Sequence, residues 1–117
     1  MNIQDMIDET KAEIISAQNF IDTYPVQDNR FIVGRDGLWL SDVVIVDGKT
    51  TGNYSITSNP VNAMTFSRDT AKSLASVTKN GNGWFLVTSK ISSVTNFLMS
   101  RNDHLKVLEA YQAKTAV

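Results

Sequence analysis

Four carboxylates, Asp5, Asp8, Glu9 and Glu13, crowd the first 13 residues of this 117-residue chain, and Asp5, Glu9 and Glu13 stand four apart. On a helix that spacing stacks like charges on neighbouring turns, which costs roughly 0.2–0.5 kcal/mol per pair. Asp5 recovers part of that cost by lying near the positive end of the helix dipole. A stripe of this kind is either a plain solvated face or a docking surface that steers a basic partner by long-range attraction. The docking reading makes Asp5, Asp8, Glu9 and Glu13 the candidate partner-binding residues.

The residues that most enzymes need are scarce. The chain has no cysteine and a single histidine, His104. Thiol nucleophiles, disulfides, thiolate metal sites, a multi-histidine zinc site and a histidine-centred triad are all left without candidates. Asp103 and His104 are adjacent, so on a helix they point in different directions, and His104 reads as a surface or capping residue. Asn80-Gly81-Asn82-Gly83 has the look of a phosphate-cradling loop but falls between a helix and a strand, the reverse of the order such loops use, and reads as a turn. No catalytic residue, metal site or cofactor is assigned, and a non-enzymatic protein is expected.

A second binding chemistry competes with the acidic stripe. Trp39, Tyr54 and Trp84, with Arg30, Arg35, Lys49 and Lys90, could form a strand-borne aromatic and basic platform for single-stranded nucleic acid. Core packing accounts for the same aromatics equally well. A third possibility, a small-molecule sponge with its pocket at an oligomer interface, leaves little trace in one sequence.

The elements that must position these residues follow from periodicity. Apolar residues Ile3, Met6, Ile7, Ile14, Ala17 and Ile21 recur at helical steps and predict an amphipathic helix that stops before Tyr24-Pro25. Arg35-Asp36-Gly37 and Val46-Asp47-Gly48-Lys49 punctuate β-branched and aromatic runs as hairpin turns do, which predicts strands near 30–34, 38–46 and 50–57. Gly52 marks a bulge or break in the third. Val43–Val46 are uniformly apolar, which predicts a central strand covered on both faces. Asn59-Pro60 ends the third strand, Ala63–Phe66 return to the core, and Ser67 caps a helix with Asp69 in its first turn. Trp84–Ile91 alternates as a strand, and a last helix is predicted from about Val94, with a kink or recapping at Asn102-Asp103.

The fold expected is a single α+β domain over 1–117, in the order α-β-β-β-α-β-α, with an antiparallel sheet of about four strands and helices packed on at least one face. Net charge is −1, but it is divided: residues 1–28 carry −5 and residues 29–117 carry +4. The N-terminus is acidic and lacks the pattern of a signal peptide, and no run reaches the roughly 20 apolar residues needed to span a bilayer. A soluble, cytoplasmic protein without membrane contact is expected.

Asn59–Ala75 together with Gly83–Val87, about a fifth of the chain, resembles small accessory proteins of phages and prophages, in which a breaker, an Ala-x-x-Phe strand and an Ala-rich helix recur. The resemblance implies a protein that acts by binding a host macromolecule, as anti-CRISPR and other host-defence inhibitors do. The partner implied is a host protein with a basic surface, with nucleic acid and self-association as the other options. The resemblance transfers no site residue.

Overall fold

The computed structural model describes residues 2–24, 30–46, 49–81 and 86–115. Its elements are α1 (Ile3–Thr23), β1 (Phe31–Arg35), β2 (Leu38–Val46), β3 (Lys49–Thr57), a 3-10 turn at Pro60–Asn62, α2 (Arg68–Gly81), β4 (Leu86–Ser89) and α3 (Lys90–Thr115). The order is the one the sequence predicts. The sheet is antiparallel throughout, with strands in the order β3-β2-β1-β4.

Local chemistry sets most of the boundaries. Asn2 caps α1 by accepting from the Asp5 amide at 2.8 Å, which satisfies one of the amides a helix start leaves unpaired. Ser67 does the same for α2, accepting from the Thr70 amide at 3.3 Å. Asp36 and Gly37 both take positive φ, 53° and 79°, and build the tight turn between β1 and β2 that the Asp-Gly pair predicts. In the β2–β3 ladder Val43 faces Tyr54 while Ile45 faces Thr50. Three residues of β3, Gly52 in their middle, therefore oppose one of β2, which is the irregularity expected at this glycine.

The sheet is covered on both faces. Val33, Leu40, Phe66, Ala71 and Leu74 form the core between the sheet and α2. Ile32 is also fully buried, yet side chains alternate along a strand, so it points away from Val33. Its cover is the other layer, the antiparallel pair of α1 and α3. β1, with Ile32, Val33 and Gly34 all buried, is thus the strand enclosed on both sides. The expectation assigned that role to β2, which is interior in strand order. Asp42 on it is exposed and Val43 half-buried, and the side chains of 44–46 lie outside the described residues.

β1 and β2 pair directly only near their turn, at Gly34–Trp39 and Arg35–Leu38. Farther along, Met64–Phe66 enters the space between them. Phe66 exchanges two backbone hydrogen bonds with Phe31, at 2.8 and 3.0 Å, and the Met64 amide donates to the Leu40 carbonyl at 2.9 Å. The apolar Ala63–Phe66 stretch does return to the core, as an inserted bridge.

Two further expectations are corrected. Lys90 and Ile91 belong to α3, since the strand ends at Ser89. α3 also runs unbroken through Asn102 and Asp103 for 26 residues. The modest helix preference of those two residues is outweighed by packing along α1, because tertiary burial routinely overrides propensity.

Candidate functional site

α1 and α3 lie antiparallel. The Lys90 Nζ sits 5.0 Å from the Phe20 ring, Arg101 reaches Glu13, and the Gln112 amide donates to Gln4 at 2.7 Å. The sheet meets this pair where Gly37, Trp39 and Ser58 face Ser93–Arg101. Beyond Arg101, among the described residues, the two helices continue as an arm packed chiefly on itself, closed by Ile7, Thr10 and Leu108, all buried.

Asp5, Asp8 and Glu9 lie on that arm and are exposed. Asp8 accepts from the Gln4 side chain at 2.9 Å. Among the described residues none of the three carboxylates has a lysine or arginine within 4.0 Å.

Glu13 departs from the stripe. Four-residue steps overshoot a full helical turn by roughly 40°, so by Glu13 the row has rotated about 80° from Asp5 and turned toward α3. There its Oε1 stands 3.8 Å from the Arg101 Nη1, and the two side chains are 24% and 28% exposed. Glu13 is an internal partner of Arg101 rather than a fourth member of the open acidic face.

The aromatic and basic platform does not assemble as one surface. Tyr54 is paired with Val43, which packs against the α2 core. Trp39 neighbours Leu40, a member of that core, and so points to the opposite face, where it lines a cleft against α3. Lys90 is 6% exposed, and its Nζ donates to the Val61 and Ala63 carbonyls, both at 2.9 Å. It clamps the 3-10 turn to α3 and does not reach solvent phosphates. Arg30 and Arg35 are exposed, with Arg35 bonded to Asp36 at 2.8 Å. Trp84 and the side chain of Lys49 lie outside the described residues. His104 sits in the middle of α3, half-buried, away from either helix end, so it is not a capping residue.

Sequence reasoning missed Arg101 and Phe97. Together with Trp39 and Glu13 they line a cleft of about 430 Å³ between α3, α1 and the β1–β2 turn. Only the three-dimensional register of α1 on α3 brings them together, and no spacing in the chain signals it. Among the described residues no group of three or more His, Cys, Asp or Glu is placed to hold a metal ion. No described helix is long and apolar enough to cross a membrane. No protein-family model, curated protein or solved structure matches this chain.

Proposed function

We propose that this protein is a non-enzymatic binding module that docks a basic protein surface on the arm formed by α1 and α3. The observation that carries this reading is the row of Asp5, Asp8 and Glu9, exposed and without basic partners of their own among the described residues. Uncompensated charge of one sign raises the encounter rate with an oppositely charged surface and biases its orientation. Val107 and Tyr111, 65% and 58% exposed, lie on the neighbouring helix over the same length of arm. Apolar and aromatic anchors beside charged groups are the combination that protein interfaces use.

The resemblance to phage accessory proteins supports placing the partner in a host complex that processes nucleic acid. Such complexes hold phosphates on lysine and arginine surfaces, and an acidic arm seated there inhibits by occupation. Cytoplasmic residence fits this role.

The test is a comparison of the wild type with the triple variant Asp5→Lys, Asp8→Lys, Glu9→Lys as baits in host lysate, followed by reconstitution with the purified captured protein. The expected result is capture of a basic protein by the wild type only, an interaction weakened by salt, and identical circular dichroism for both baits. Equal capture by the two baits would eliminate the arm as the docking surface.

A further inference from the structure

Among the described residues Arg101 is the one cation lining the cleft between α3, α1 and the β1–β2 turn, and its guanidinium is chemically unfinished. Its side chain is only 28% exposed and its Nε is buried without an acceptor. The nearest carboxylate, Glu13, stands at 3.8 Å, beyond hydrogen-bond reach. Among the described residues the guanidinium makes no hydrogen bond to the protein. A buried guanidinium N–H without an acceptor is rare in folded proteins, because an unmade bond costs free energy. What holds the group in place is the Phe97 ring, 5.6 Å from Cζ.

The surroundings describe the missing acceptor. Trp39 and Phe97 are half-buried aromatic walls. Gly34 fixes the first of them: a Cβ at that position would meet the Trp39 Cα at 2.7 Å and its Cδ1 at 2.8 Å, so the bare backbone is what lets the indole lie across β1. Ser58, Asn96 and Ser100 add exposed polar groups at the rim. The volume, about 430 Å³, falls in the range of small-molecule sites, roughly 300–1,000 Å³. A guanidinium fork matches a carboxylate or phosphate in two parallel bonds. Glu13 beside it limits the negative charge the site accepts, since a second ligand charge would be held against its carboxylate.

We propose that this cleft binds a small aromatic carboxylate, a flat ring lying against Trp39 and Phe97 with its single negative charge paired to Arg101. The site is separate from the acidic arm and does not depend on it.

The experiment is a titration followed by amide and indole chemical shifts, reading the Trp39 indole N–H. The probes are indole-3-acetate and anthranilate, with indole and aniline as rings without the anion, acetate as the anion without the ring, and adenosine monophosphate as a dianionic ring compound. The expected result is binding of at least one aromatic carboxylate with a Kd below about 1 mM, about tenfold or more tighter than its neutral ring, acetate or the nucleotide. Arg101→Met, which keeps the packing on Phe97, and Asn96→Trp, which fills the mouth from an exposed position, should each weaken that binding by about tenfold or more. No shift of the Trp39 signal with any probe, equal affinity for charged and neutral rings, tighter binding of the nucleotide, or affinity unchanged in folded Asn96→Trp would each overturn the proposal.

Discussion

Lys90 shows how one side chain can be spent entirely inside the fold. Its ammonium bridges the Val61 and Ala63 carbonyls and lies over the Phe20 ring, joining three segments far apart in sequence. Burial first, and the Arg30 charge second, hold its pKa below the ordinary 10.5. The folded protein therefore releases this proton at a lower pH than the unfolded chain does. Between the folded pKa and 10.5 the unfolded state binds more protons, so stability contributed by this residue rises with pH across that alkaline window. Lys90→Met removes the slope, and at neutral pH it also orphans two carbonyls at a cost of about 1–3 kcal/mol. Urea unfolding of both proteins from about pH 8 upward should show the wild type gaining on the variant as pH rises. Parallel curves would mean that Lys90 titrates alike in both states. The sequence marks this residue only as a solvent-facing base of a nucleic-acid platform, and nothing in it signals burial. A lysine closing an alternating strand reads as exposed, and its burial follows from where the 3-10 turn docks.

At the scale of elements, the legible features were those fixed within a few residues. The Asp36-Gly37 turn, the Ser67 cap and the α1 stripe are local steric and hydrogen-bonding choices, and each stands as its sequence predicts. What was not legible depends on contacts between distant segments. α3 ignores its Asn102-Asp103 interruption because α1 lies along it, and Glu13 leaves the acidic row because Arg101 is across the groove. The Trp39–Phe97–Arg101 cleft required the sheet, the turn and α3 in register. The same dependence yields a prediction for the arm, whose helices, among the described residues, pack chiefly on each other. Leu108 is 6% exposed, and Leu108→Ala should cost about 2–5 kcal/mol. Amide exchange should then quicken in Asp5–Lys11 and Arg101–Tyr111 while Ile32 and Val33 stay protected, since weakly supported elements open separately. Uniform acceleration across the chain would show arm and sheet to unfold as one unit.

For the whole molecule, the antiparallel pair and the β2–β3 hairpin run in opposite directions from a shared centre at β1. α3 alone spans roughly 39 Å at 1.5 Å per residue, and the hairpin passes beyond β1 on the other side, giving extents of 60 × 32 × 18 Å. Charge follows the same axis, with Asp5, Asp8 and Glu9 on the arm and most lysines and arginines elsewhere. A projecting, acidic arm can enter a basic groove that a compact domain of equal mass could not reach, and so its extension in solution matters to the proposed docking. A compact chain of this length has a radius of gyration of about 13 Å, whereas this structure has 16.8 Å. Small-angle scattering of the free protein at low concentration and moderate salt should return a value near the latter, with a pair-distance distribution tailing toward 60 Å. A radius close to the compact value would place the arm back against the sheet, covering Asp5, Asp8 and Glu9 and removing the surface on which the binding function rests.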